Sequence, residues 1–85
     1  MKIDFSVKTA PEYLLAAVKG EKTFTIRKND RPYKVGAIIR KCGFANGSYT
    51  GECADFVITY VLTHDDFPSG IKDGYCVCGI KFIKD

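Results

Sequence analysis

Polar and apolar residues alternate along most of this chain, and a period of two predicts strands. The first is "IDFSVK" (3–8). In "KTFTIRK" (22–28) the alternation puts Thr23, Thr25 and Arg27 on one side and Phe24 and Ile26 on the other. "AIIRKCGF" (37–44), "ECADFVITYVL" (52–62) and "YCVCGIKFI" (75–83) read as three further strands. One segment breaks the period. "TAPEYLLAAVKG" (9–20) reads as a short helix with Tyr13, Leu14, Ala17 and Val18 on its apolar face. Thr9 with Glu12 fits a capping box, Pro11 suits the first turn, and Lys19 followed by Gly20 marks the end. The helix is expected over residues 10–19, packed through Leu14, Leu15 and Val18. "NDRPYKVG" (29–36) is turn-rich, "ANGS" (45–48) is a strong hairpin signal, and "THDDFPSGIKDG" (63–74) reads as a loop with room for one helical turn. About five strands and one early helix predict a small α+β domain. A curled or closed sheet would hide its edges and let the helix cap one opening.

Composition agrees with a single globular domain over residues 1–85: 46% of residues are hydrophobic and 27% charged, with no repeat and no linker-like stretch. No apolar run reaches membrane-spanning length, and "MKIDFSVK" lacks the apolar middle of a signal peptide. The chain therefore reads as cytoplasmic, with no membrane partner. The net charge of +3 says little, but its distribution says more. Residues 1–41 carry ten Lys or Arg against four acids, and residues 42–85 carry three against six. A positive field therefore sits on the first half.

Four cysteines, Cys42, Cys53, Cys76 and Cys78, lack the C-x-x-C knuckles of a zinc site. Cys76 and Cys78 share one face of a strand and are not placed to bridge each other. Reduced, half-buried thiols are expected, with no metal and no cofactor. His64 stands in an acidic loop with Asp65 and Asp66; consecutive loop positions converge poorly on a metal, and a solvated loop is expected.

The candidate chemistry concentrates in "GEKTFTIRKNDR" (20–31), where Lys22, Arg27, Lys28 and Arg31 face only Glu21 and Asp30. Arg27 shares the Thr23–Thr25 side, and a planar guanidinium beside hydroxyls suits a phosphate or a base edge. The bland alternative pairs Arg27 with Glu21, Glu52 or Asp55 across the sheet. Lys22 is either a solvated surface lysine or a phosphate contact. Lys28 and Arg31 read as rim charges that attract an anion without specifying it. Asp30 reads as a turn-former. Tyr49, in "YTG" (49–51), either stacks on a base or simply opens a strand.

"PEYLLAAVKGEKTFTIRKNDRPYKVG" resembles the ASCH group of the PUA-like superfamily, closest to a short ASCH-related domain of unknown function common in bacteria and phages. "YTG", "VITYVL" and "DGYCV" continue the likeness over most of the chain. The resemblance implies a PUA-like small β-barrel with the early helix flanking a cleft, and a role in binding RNA or a modified nucleotide. Two positions depart from the short family: Thr25 stands where a glutamate is usual, and Ala37 where an aspartate is usual. "GEKTFTIR" is also similar to another ASCH branch, small amidohydrolases acting on 4-acetylcytidine, where a lysine and a threonine of this motif work with a distant glutamate. By motif position those two are Lys22 and Thr25; the glutamate belongs to a helical insertion absent here.

Three classes of function follow. The leading expectation is a non-catalytic RNA- or nucleotide-binding module using Lys22, Thr23, Thr25, Arg27, Lys28, Arg31 and Tyr49. The second is an amidohydrolase with Thr25 as nucleophile and Lys22 as activator. The third is a phage-type protein that binds a host protein or a signalling nucleotide, which small size and the charge split permit.

Overall fold

The computed structural model describes residues 1–84. Its elements are β1 (Phe5–Thr9), α1 (Pro11–Val18), β2 (Phe24–Lys28), β3 (Ile38–Ala45), β4 (Ser48–Thr63) and β5 (Tyr75–Phe82). All five strands join one sheet in the order β1-β3-β4-β5-β2, so β1 and β2 are its two edges. β1 runs parallel to β3, and the other pairs are antiparallel. The sheet curls into a half-barrel accompanied by one short helix, a small α+β fold.

Local chemistry explains most of these elements. Asn46 and Gly47 both take positive φ, 54° and 81°, as a tight turn joining β3 to β4 requires. β4 runs without a break for 16 residues because its register tolerates two irregularities. Gly43 alone opposes residues 50–52 of β4, and Thr59 is an extra residue between the Ile58–Ile80 and Tyr60–Gly79 pairs. Bulges bend and twist a strand, and each of these faces a glycine that leaves room for the irregular partner.

The concave face carries the core. Val7, Ala37, Ile39, Ile58, Cys76 and Cys78 form one cluster. Leu14 and Ala17 of α1 form a second with Phe56 and Ile80, so the helix closes that end of the curl. Three expectations about α1 need correction. No capping box forms: the N-cap is Ala10, with no side-chain cap, and the Thr9 hydroxyl is buried without a partner among the described residues. Leu15 is 60% exposed and Tyr13 55%, so the helix packs through Leu14 and Ala17, with Val18 partly buried against the same cluster. Eight helical residues are just over two turns, too few for a wide apolar face to reach the sheet at once.

The loop before β5 is also more ordered than expected. Asp66 accepts from the Thr63 amide and hydroxyl at 2.9 and 3.0 Å, and His64 Nδ1 lies 2.6 Å from the Ile71 carbonyl oxygen. His64 is accordingly part-buried rather than solvated.

Candidate anion-binding site at the open seam

β2 inverts the usual rule for a half-buried strand. Its polar side faces inward: Thr25 is 3% exposed and pairs in register with buried Cys78, while Arg27 pairs with Cys76. Phe24 and Ile26 face outward, 45% and 60% exposed. The same period of two acts on β3. Ile39 points into the core, so Lys41, two residues on, must also point inward. Lys41 is 2% exposed, and its Nζ lies 3.0 Å from Thr25 Oγ1.

These side chains line a cavity of about 480 Å³ where the half-barrel stays open. Its walls come from both edge strands and from the start of α1: Lys8 and Thr9 on one side, Lys22, Thr25 and Arg27 on the other, with Tyr13 and Phe24 beside them. Among the described residues, four cations and no carboxylate line it. Burial, reinforced by the nearby Lys22 and Arg27 charges, lowers the Lys41 pKa to about 8. Lys22 is shifted in the same direction, first by burial and then by Arg27. A cavity that depresses the pKa of its own lysines is short of negative charge, which an anion would supply.

The expected site residues divide by position. Thr25, Arg27 and Lys22 meet at the cavity, although the Lys22 ammonium donates to the Phe24 carbonyl at 2.7 Å and rests over the Tyr13 and Phe24 rings. Among the described residues, Arg27 makes no ion pair; Asp55, one of its suggested partners, is instead held by Arg40 through two bonds of 2.8 and 3.0 Å. Thr23 is exposed and lies outside this cavity, beside a neighbouring hollow at the end of α1. Lys28 is exposed and off the lining. Arg31 donates to the Ser6 carbonyl at 3.2 Å, joining the chain after β2 to β1. Tyr49 sits at the start of β4, packed edge-on against Phe44 at 5.1 Å and outside the cavity.

Sequence reasoning missed Lys41, Thr9 and Lys8. The signal for Lys41 was present, since burying Ile39 commits Lys41 to the same face. Lys8 bridges outward as well, with its Nζ 4.4 Å from the Phe44 ring centre. A larger groove of about 730 Å³ lies between α1 and β4. Among the described residues it presents Glu12, Glu52 and Asp55 and no lysine or arginine, so it suits a different class of contact. Among the described residues, no three His, Cys, Asp or Glu side chains gather as metal ligands, and no helix is long and apolar enough to cross a membrane.

Fold and cavity together define a small α+β domain with a half-open sheet and a cation-lined seam. A family model described as "Domain of unknown function (DUF3850)" matches residues 5–80, and the chain belongs to that family. The comparison with curated proteins gave no match.

Proposed function

We propose that this chain is a non-catalytic binding module for RNA or a nucleotide, seated at the seam with its phosphate against Lys22, Arg27 and Lys41. The observation that carries this reading is the position of Lys41: an ammonium removed from water, contacting a neutral hydroxyl, among further cations and with no lining acid among the described residues. Burying an unpaired charge is costly, and a bound anion would offset that cost. A cavity of about 480 Å³ is within the range of small-ligand sites. The exposed Tyr13 and Phe24 rings at its mouth offer faces for a base. The PUA-like and ASCH assignment belongs to the same proposal, supported by a curled sheet with an early helix flanking a cleft.

Fluorescence anisotropy with a labelled single-stranded RNA, and calorimetry with a nucleoside monophosphate, test it. Affinity should fall as salt rises. Arg27→Ala should weaken binding about tenfold or more, and Lys84→Ala about twofold or less. Equal losses from the two, or no binding at low salt, would reduce the basic stretch to a solvated edge.

A second reading, hydrolysis of an acylated cytidine such as 4-acetylcytidine, draws on the Thr25–Lys41 contact. A lysine with a pKa of about 8 is closer to a working base than an ordinary one, and it reaches the hydroxyl, whereas the Lys22 ammonium is bound to a backbone carbonyl. Against it, no carboxylate among the described residues lines the cavity. We expect 4-acetylcytidine to stay intact with purified protein. Rapid deacetylation lost in Thr25→Ala, and in either Lys41→Met or Lys22→Ala, would replace the binding reading with the enzymatic one.

A further inference from the structure

Away from the seam, Cys42 of β3 and Cys53 of β4 are direct cross-strand partners in an antiparallel pair. Such partners have Cα atoms about 4.5–5.5 Å apart, inside the range that disulfides span without backbone movement. Both side chains leave the same face, and the Cys53 thiol, like Cys42 a free thiol, points at the Cys42 sulfur. The adjoining irregularity, where Gly43 opposes residues 50–52, ends regular pairing directly beyond this pair. Cys53 is exposed and lines the groove between α1 and β4, so a soluble reagent can reach it. Burial and the neighbouring Cys53 push the Cys42 thiol up to about 11, and the positive charge of Arg40, two residues away, offsets only part of that.

The other two cysteines have none of this. Cys76 and Cys78 are wholly buried and stand two residues apart on one strand, where neighbouring side chains are not placed to bridge. One pair of thiols is therefore juxtaposed across two strands with a member open to solvent, and the other is shut away from it.

We propose that Cys42 and Cys53 form a reversible dithiol–disulfide site, oxidised by a low-molecular-weight disulfide such as oxidised glutathione. The Cys53 thiolate attacks one sulfur of the reagent, forming a mixed disulfide and expelling one thiolate, which takes up a proton. The Cys42 thiolate then attacks Cys53 Sγ, closing the intramolecular bridge and expelling the second thiol. The protein loses two electrons and two protons, and the reagent is reduced to two thiols. Cys42 is the resolving partner because it is the more covered of the two, and Cys53 is the one a soluble reagent meets first.

Intact-mass measurement after incubation of the full chain with oxidised glutathione tests this, followed by chymotryptic mapping without reduction. Cleavage at Phe44 and Tyr49 falls between the two cysteines, so a bridge leaves the flanking peptides joined. The wild type should lose two hydrogens and regain them with excess reduced glutathione. Cys42→Ser should instead accumulate a stable glutathione adduct on Cys53, and Cys53→Ser should remain unmodified. An unchanged wild-type mass, a persistent adduct on wild-type Cys53, or modification of Cys76 or Cys78 ahead of Cys53 would overturn the proposal.

Discussion

Lys41 carries the largest cost and the clearest test at the level of single residues. Its ammonium is ionised in the unfolded chain up to a pKa near 10.5 and in the folded chain only up to about 8. Between those values the unfolded state binds more protons, so stability rises with pH across that window, and below it the full cost of the buried charge is felt. Lys41→Met keeps the length and removes the charge. It should raise unfolding free energy at neutral pH by about 1–3 kcal/mol, and the gain should shrink toward pH 10; urea unfolding at the two pH values measures both. The same substitution should abolish anion binding. Because the anion needs the charged form, affinity in the wild type should fall as pH rises above about 8, by up to about tenfold per unit, and calorimetry across pH 6–10 would read it. A variant that is less stable and still binds would remove Lys41 from the site.

Individual elements were unevenly legible. The Asn46–Gly47 turn was plain, because its residues are those that accept positive φ. β2 was placed by its alternation, but which side faces inward was not, since Phe24 and Ile26 would ordinarily be buried. The β4–β5 pair left no trace of its bulge in the pattern of side chains, and the bulge depends on Gly79. A Cβ there would meet Thr59 Oγ1 at 2.6 Å, and a short, β-branched threonine has little freedom to move away. Gly79→Ala should therefore cost about 1–3 kcal/mol by chemical denaturation, and Gly79→Ala with Thr59→Gly should recover part of it. No recovery in the double variant would mean that the contact is not the cause.

Seen as a whole, the molecule separates a basic seam from an acidic groove on either side of α1. The seam exists because β1 and β2 are sheet edges that do not pair with each other, and Arg31 ties one to the other through the Ser6 carbonyl. β1 has a single strand neighbour, β3, whereas β4 is paired on both sides. Arg31→Ala should speed hydrogen exchange selectively at β1 amides (5–9), leaving the amides of β4 and β5 unchanged. Uniform acceleration across the sheet would show instead that Arg31 supports global stability.

Residue pattern alone was enough for about five strands and their succession along the chain, the early helix, the tight turn and the concentration of positive charge in the first half. Those features are local: they follow from side-chain period, from residues tolerant of positive φ and from a tally of charges. Tertiary structure decided what faces what. Alternation marks two sides of a strand without saying which is inside, and only the curl of the sheet turned Thr25 and Arg27 inward to meet Lys41, 16 residues away from Thr25. The partnership of Cys42 with Cys53 likewise depends on hairpin register, which the irregularity at Gly43 shifts from the pairing a regular ladder would give.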